Sequence, residues 1–365
     1  MRCFMYKKLI ILSIISLFLI SCNSNREIRV GFAGSLSGPS HEIGIAAKNG
    51  YQLAIDELNS HPDYESITFV PVIRDDGSDP EKALEVVTDL KNASVDVAIG
   101  FITSNMYPAV VKANEENLLL ISPSMSTPKL SDMDDNFLRV ISSMEFEARE
   151  LARHTLNIGV NKIAIIYEMS NDVYSVKYHE EFVDEFAIRE SEVVYETALD
   201  HKDYDALVSQ IIESKANGLC LVTSAHTASE ILQRLQVRKI DIPIALSQWT
   251  MSMELIEQAG QSADGAYGYS TYNKNLLTED YQSFRDLYYE RFQIEPAFIS
   301  ITTYEATKIL CESLTNHDNI NSIKKDIIGK TYTGLQNDFA MNEFGDSSRI
   351  FYLVHIKDGS IIPYE

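Results

Sequence analysis

The chain has 365 residues, of which 45% are hydrophobic, and a formal net charge of −22 at pH 7. This length exceeds what one compact core usually holds, so we expect two domains. A chain this acidic repels nucleic acid and anionic lipid head groups, which excludes nucleic acid as a partner and excludes a membrane contact made by surface charge.

The first residues have the composition of a secretory signal. Arg2, Lys7 and Lys8 form a basic flank, and the apolar stretch 9–20 follows them. This stretch is shorter than the ~18 residues that a membrane-spanning helix needs. We therefore predict a cleavable signal peptide over residues 1–21, so that the remaining chain works outside the cytoplasm. ATP and nicotinamide cofactors are not supplied there, and we expect no cofactor.

The predicted signal peptide ends in a motif that suggests a lipid anchor. Residues 19–22 are Leu-Ile-Ser-Cys and resemble a bacterial lipobox, in which the cysteine is acylated. Cys22 would then begin the mature chain, and residues 22–27 would form a polar tether. Two or more acyl chains hold a protein stably on a membrane, in the periplasm or at the cell surface. The alternative is an ordinary signal peptide with a chance cysteine at its end.

Beyond the tether, short apolar runs alternate with longer amphipathic segments. Near-continuous apolar strands separated by helices are typical of parallel sheets covered on both faces, which predicts a doubly wound α/β fold. The pattern occurs as two series of similar order, so we expect two α/β domains of like construction. The predicted strands are 28–33, 67–74, 95–100, 118–121, 163–167, 192–196, 219–223 and 243–246, and the predicted helices are 43–59, 79–91, 104–114, 145–156, 174–186, 204–213 and 227–235.

The sequence lacks the motifs that carry catalysis. There is no Gly-rich phosphate loop, paired-histidine helix or serine nucleophile elbow, and the histidines have no metal-ligand spacing. The acidic run 75–79 lacks the alternating spacing and closing glutamate of a calcium loop, so we interpret it as a solvated turn. We expect Cys220 and Cys311 to be buried thiols, although an oxidising compartment would permit a disulfide. The sequence therefore predicts neither an enzyme nor a metal site.

Three loops at the carboxyl ends of predicted strands are rich in small hydroxyl residues. They span 34–39, 101–105 and 122–128, and each runs into a helix or a helical turn. Ligands of open α/β sheets bind at these strand ends, and hydroxyl and N–H groups at a helix start suit a carboxylate. Helix capping by Ser104 and Ser126 explains any one loop equally well. Three neighbouring loops of one kind favour a binding cleft.

The order and spacing of these features resemble the type I periplasmic binding proteins, and within them the leucine/isoleucine/valine-binding family that serves ABC importers. The resemblance covers residues 28–359. The segments that carry it are 34–39 with Asn49-Gly50, 74–76 with Asp79-Pro80, Gly100, 121–123, 162–167 with Tyr174, and 334–346 with Phe339.

The resemblance implies two doubly wound lobes joined by three hinge strands, which close on a ligand. The crossings between the lobes would fall near 142–143, 271–273 and 336–338. Lobe one would comprise residues 28–142 and 273–336, and lobe two would comprise residues 143–272 and 337–365.

The resemblance also implies a ligand site shared by the two lobes. Ser104 and Ser126 match family residues whose hydroxyls hold the ligand carboxylate. The backbone N–H groups of Asn105 and Met125 would help them. Tyr174 matches a tyrosine that lobe two brings over the ligand on closure.

The sequence departs from the family at two positions of lobe two. The loop Ser224-Ala225-His226 stands where the family usually has an aromatic residue. Gln248 stands where amino-acid-binding members place a glutamate that pairs with the ligand ammonium. Glutamine has one carbonyl oxygen and no charge, so it does not compensate an ammonium taken from water. We predict a ligand with an anionic or amide end in lobe one and a body against Tyr174 and Trp249; an α-amino acid remains an alternative.

The predicted function is a monomeric, lipid-anchored receptor that captures a small molecule and delivers it to an ABC permease complex in the membrane. A ligand-sensing receptor of the same fold, which signals to a membrane kinase or regulator, is the second interpretation. Neighbouring genes would distinguish the two. A secreted hydrolase, the third, would need a nucleophile–base pair or metal set that the sequence lacks.

Overall fold

The structure is a computed structural model that describes residues 25–188, 191–200 and 203–364. The predicted signal peptide and the predicted lipidation site, Cys22, lie outside the described residues. Within the described ranges, no helix combines the length and apolar character needed to cross a membrane.

Strands and helices alternate along most of the described chain, as the sequence pattern predicts. The strands are β1 (Arg26–Gly34), β2 (Ile67–Asp75), β3 (Val97–Ile99), β4 (Leu119–Ser122), β5 (Phe137–Arg139), β6 (Lys162–Glu168), β7 (Glu192–Leu199), β8 (Gly218–Val222), β9 (Ile244–Leu246), β10 (Tyr267–Ser270), β11 (Thr331–Tyr332), β12 (Phe339–Met341), β13 (Ser347–Ser348), β14 (Tyr352–Lys357) and β15 (Ser360–Pro363). The helices are α1 (His41–Ser60), α2 (Pro80–Asn92), α3 (Tyr107–Glu115), α4 (Met144–Asn157), α5 (Asp172–Phe186), α6 (Tyr204–Glu213), α7 (Ala225–Val237), α8 (Met253–Ala259), α9 (Glu279–Phe292), α10 (Phe298–Asn316) and α11 (Ile320–Ile327).

The first lobe is built on a parallel sheet with the strand order β2-β1-β3-β4-β5. Its central strands are apolar on both faces because both faces are covered. Helices α1, α10 and α11 pack on one face, where Tyr51 donates a hydrogen bond to the Val30 carbonyl at 2.7 Å. Helices α2 and α3 pack on the other face. This arrangement confirms the doubly wound α/β prediction for the first series.

The second lobe is built on a larger mixed sheet with the order β15-β14-β10-β9-β8-β6-β7. Strands β6 to β10 are parallel, and β14 and β15 add an antiparallel edge that the sequence pattern did not predict. Helices α4 and α5 cover one face, and α6, α7 and α8 cover the other. Cys220 lies in this core and Cys311 in the first, so both are free, buried thiols.

The third crossing between the lobes lies later in the chain than predicted. Phe339 and Met341 belong to the core of the first lobe, and the second core resumes at Val354. Strands β11, β12 and β13 form a small antiparallel sheet that keeps this segment with the first lobe. The predicted crossing at 336–338 is therefore corrected to residues 349–351.

A buried ion pair lies at the third crossing. Arg349 pairs with Glu305 of α10, and both side chains are less than a tenth exposed. The Arg349 guanidinium also lies 3.8 Å from the centre of the Phe339 ring. Its backbone N–H donates to the Ser142 hydroxyl at 2.6 Å, which ties the first crossing to the third.

Candidate functional site

A cavity of about 480 Å³, which includes its open side, lies between the two lobes. It is formed where the carboxyl ends of the parallel strands of the two sheets face each other, as expected for open α/β sheets. Of the described residues that line it, none has a side chain that is charged at neutral pH. The lining residues are Ile43, Ile102, Thr103, Ser104, Ser124, Ser126, Ile141, Phe298 and Ile299 from the first lobe and Asn171, Tyr174, Gln248 and Trp249 from the second.

The polar part of the first-lobe wall depends on a sharp turn after β3. Gly100 has a φ of 137°, and a Cβ atom there would lie 2.1 Å from the Ala33 carbonyl oxygen. Only glycine fits this close approach. The turn directs the following loop to the cavity, which is lined by Ser104 of this loop and by Ser126 of the next one.

The Ser104 and Ser126 side chains are almost fully buried, yet among the described residues neither hydroxyl has a hydrogen-bond partner. Two neighbouring hydroxyls behave differently. Ser124 donates to the Ile102 carbonyl at 2.5 Å, and Thr103 donates to the Asn105 side chain at 2.6 Å. Because a buried polar group is normally paired, the two unpaired hydroxyls are suited to a ligand that accepts hydrogen bonds.

The second-lobe wall is aromatic with polar edges. The rings of Tyr174 and Trp249 meet edge to face, with their centres 6.0 Å apart. The Tyr174 hydroxyl is buried and makes no hydrogen bond within the described residues. The Gln248 amide nitrogen donates to the Thr271 hydroxyl at 3.0 Å, which leaves its carbonyl oxygen as an acceptor.

A buried carboxyl group supports this wall from behind. Glu147, in the first turn of α4, accepts hydrogen bonds from the Tyr178 hydroxyl and from the Gln248 backbone N–H, both at 2.8 Å. It is 1% exposed and does not line the cavity. Burial raises the pKa of Glu147 to about 8, because these hydrogen bonds offset only part of the cost of desolvating a charge.

The two lobes meet directly at one side of the cavity. The Asn105 backbone N–H donates to the Asn171 side chain, and the Asn105 amide donates to the Ser170 carbonyl, both at 3.0 Å. The Thr127 hydroxyl contacts the Val173 carbonyl at 3.5 Å. These contacts bridge the first and second lobes, so the arrangement is that of closed lobes.

The structure brings together at the cavity Ser104, Ser126, Tyr174, Gln248 and Trp249 of the residues that the sequence singled out. Met125, Asn105 and Ser224 are not among the residues that line it. The Met125 N–H donates to the Ser122 hydroxyl at 3.0 Å, inside its own loop. Asn105 bridges the lobes, and Ser224 donates twice to Glu168 at 2.8 Å while capping α7.

The acidic turn after β2 is also corrected, because it is not a solvated turn. Asp76 is fully buried and accepts a hydrogen bond from the Ser35 hydroxyl at 2.7 Å. Asp75 accepts from the backbone N–H groups of Leu36 and Ser37 at 2.9 and 3.1 Å. The turn therefore holds the loop 34–39 in place. Within the described residues, this turn included, no group of three or more His, Cys, Asp or Glu side chains is arranged to hold a metal ion.

The sequence argument missed most of the apolar wall. Ile43 comes from the start of α1, and Phe298 and Ile299 come from the start of α10. Helix α10 is far along the chain from the polar loops, so no local pattern connects them. A sequence signal that could have found these residues is Gly50, in the middle of α1. Glycine allows α1 to pack tightly on α10, because a Cβ atom at Gly50 would lie 2.2 Å from the Ser300 carbonyl oxygen.

Comparison with known proteins agrees with this geometry. The family described as "Periplasmic binding protein" matches residues 27–358. The Leu/Ile/Val/Thr-binding protein of Salmonella typhimurium is 22% identical over 325 residues, 88% of each chain.

Two solved structures share the fold. The branched-chain amino acid transporter substrate binding protein LivJ from Streptococcus pneumoniae, in complex with isoleucine, has a TM-score of 0.85 at 19% identity and covers 92% of this chain and 98% of its own. An ABC transporter solute binding protein from R. palustris, in complex with benzoate, has a TM-score of 0.83 at 19% identity and covers 92% and 95%.

The two facing α/β lobes and the cleft between them define a ligand-binding protein of the type I architecture. The chain belongs to the periplasmic binding protein family. It is a binding protein rather than an enzyme, and its family implies a location outside the cytoplasm.

Proposed function

We propose that the protein captures a small carboxylate, or a closely related amide, between its lobes and delivers it to an ABC importer. The observation that carries this proposal is the pair of unpartnered, buried hydroxyls of Ser104 and Ser126 in a cavity whose lining is otherwise uncharged and mostly apolar. The relatives named for branched-chain amino acids and for benzoate support it, because those ligands share a carboxylate and an apolar body.

A ligand without an ammonium group fits the cavity better than an α-amino acid. An ammonium moved out of water needs a negative charge or several acceptors. Gln248 supplies one carbonyl oxygen, and the adjacent carboxyl of Glu147 keeps its proton at neutral pH because burial raises its pKa to about 8. The lining therefore compensates a single negative end through hydrogen bonds and offers nothing comparable to a positive end.

The apolar side chains set the shape of the rest of the ligand. Ile102, Ile141 and Phe298 from the first lobe face Trp249 from the second. Burying hydrocarbon or aromatic surface between them contributes about 25 cal/mol per Å². Because the cavity is also small, the body of the ligand is an aliphatic branch or a single ring.

We further propose that the protein reaches its importer as a lipoprotein. The lipobox residues 19–22 support acylation of Cys22, which would keep the protein beside a membrane permease. Intact mass measurement of membrane-extracted protein is expected to give a chain that starts at Cys22 with added acyl mass. A chain that starts elsewhere without that mass would disprove the anchor.

Ser126→Ala is expected to weaken binding of a carboxylate by about 1–3 kcal/mol, because a hydrogen bond to a charged group is lost. Trp249 is the only tryptophan and lies against Tyr174, so its fluorescence reports occupancy and closure. We suggest titrating benzoate, 4-methylpentanoate and leucine with this signal.

The matched control is Ser60→Ala, whose hydroxyl donates to the Asp56 carbonyl of its own helix at 2.8 Å and should not affect binding. Unchanged carboxylate affinity in Ser126→Ala would refute the proposed polar end. Micromolar leucine binding that survives Gln248→Ala would refute the preference against an ammonium.

A further inference from the structure

The wall of the cavity in the second lobe is assembled around a single carboxyl group. Glu147 binds Tyr178 of α5 and the backbone of Gln248, which follows β9, so three elements of the lobe meet at one side chain. Tyr178 lies one helical turn from Tyr174, and their ring centres are 5.4 Å apart. A change at Glu147 is therefore transmitted directly to the two cavity residues Tyr174 and Gln248.

No cation faces this carboxyl among the described residues that pack against it. The titratable groups around it are Tyr174 and Tyr178 from α5 and the Cys220 thiol from β8. Burial raises the pKa of all three, so each stays neutral in the range where a carboxyl titrates. On its own helix, Arg149 pairs with Glu181 and Arg153 pairs with Glu185, and neither contacts Glu147.

We propose that Glu147 is a positioning residue that sets the charge of ligand that the cavity accepts and couples ligand capture to its own protonation. This inference rests on the proposed function, because it concerns the same cavity.

The coupling runs through the charge of the Glu147 carboxyl, which lies next to Tyr174 and is bonded to the Gln248 backbone. When Glu147 carries its proton, the support behind these two cavity residues is neutral. When Glu147 loses its proton to solvent, a negative charge lies directly behind them.

The two states therefore favour different ligands. The protonated state presents a neutral wall, which suits a carboxylate or a carbonyl oxygen. The ionised state places a negative charge just behind the wall, where the low dielectric makes its repulsion of an anionic ligand strong. Glu147 thus confines anion capture to neutral and acidic conditions.

The test compares wild type with Glu147→Gln, using Trp249 fluorescence from pH 6 to 9.5 with and without benzoate as the probe. Without benzoate, wild type is expected to show a fluorescence step near pH 8, since Trp249 follows Gln248 in the chain and packs on Tyr174. The step is expected to be absent in Glu147→Gln. Benzoate affinity is expected to fall at least tenfold between pH 6.5 and 9.5 in wild type and to stay within about twofold in Glu147→Gln.

Two further variants make the result specific. Glu181→Gln removes a carboxylate of α5 that pairs with Arg149 and Lys177, and it should leave the step unchanged. Tyr178→Phe removes one hydrogen-bond donor to the Glu147 carboxylate, so it should move the fluorescence step to higher pH. This variant also provides the test if Glu147→Gln does not fold.

The outcomes separate this inference from the proposed function. A fluorescence step that is lost in Glu147→Gln, or shifted in Tyr178→Phe, supports Glu147 as the protonation site. If benzoate does not bind while the step behaves in this way, only the proposed ligand class fails. A step that persists in Glu147→Gln overturns the inference. Benzoate binding of equal strength at both pH values in wild type also overturns it and leaves the carboxylate proposal intact.

Discussion

Replacing Arg139 with methionine is expected to lower the free energy of unfolding by about 3–5 kcal/mol. Arg139 ends β5, is 1% exposed and pairs with Asp346 at 2.7 Å. It also donates to the Thr127 carbonyl at 2.9 Å and to the Ser131 hydroxyl at 2.6 Å. The substitution leaves a carboxylate and these acceptors without their partner, and such uncompensated buried groups are costly.

The same substitution is expected to weaken ligand binding, because Arg139 holds both ends of the stretch that contains Ser126. Urea denaturation measures the stability change, and Trp249 fluorescence measures the affinity. Arg153→Met is the matched control. Arg153 is 45% exposed and pairs with Glu185 on the surface, so its loss should cost less than about 1 kcal/mol. Equal losses in the two variants would contradict the structural role of Arg139.

A rise in pH from 5 to 7.5 is expected to cost wild type on the order of 3 kcal/mol of stability relative to Glu147→Gln. The unfolded chain releases the Glu147 proton near the ordinary pKa of 4.5, whereas the folded chain keeps it until about pH 8. Between these values the native state binds more protons than the unfolded state, so stability falls as pH rises. Above about pH 8 both states are ionised, and this contribution levels off.

This effect is measured as the difference between the stability–pH curves of wild type and Glu147→Gln, because the other titratable groups contribute equally to both curves. Denaturation midpoints and slopes at half-unit pH steps give the two curves. The curves should diverge between pH 5 and 7.5 and run parallel above 8.5. Parallel curves over the whole range would show that Glu147 has an ordinary pKa in the folded state, against the burial of its carboxyl.

The fold could be predicted because the sequence of the parallel strands matches the burial that their place in the sheet requires. In β4, for example, all four residues are buried, and the sequence has the continuous apolar run that a doubly covered strand requires. The antiparallel edge formed by β14 and β15 is mostly half-buried, and it was missed although an apolar run at residues 350–354 leads into β14. The third crossing was misplaced because β12 has only three residues and belongs to a small separate sheet.

The sequence predicted that hydroxyl-rich loops form the polar half of the cavity, but it did not predict which of their donors remain unpaired. Hydroxyl-rich loops after strands predict a site, but they do not tell which donors the loop itself uses. The Met125 N–H is used by Ser122, whereas the neighbouring Ser126 hydroxyl is left unpaired, and this difference depends on three-dimensional loop geometry.

Glu147 could have been singled out from the sequence. In α4, Met144, Ala148 and Leu151 form the buried face, and Glu147 lies on the same face at helical spacing. A single acid on an apolar face indicates a buried polar contact. The identity of its partners, Tyr178 and the Gln248 backbone, could not be inferred, because they come from two distant segments.

The most direct test is a crystal structure of the protein with the ligand that co-purifies from its native host. We expect an anionic or amide oxygen within hydrogen-bonding distance of both the Ser104 and Ser126 hydroxyls, an apolar body against Trp249, and no ammonium group beside Gln248. A ligand whose negative end points into the second lobe, or one with its ammonium held at Gln248, would contradict the account.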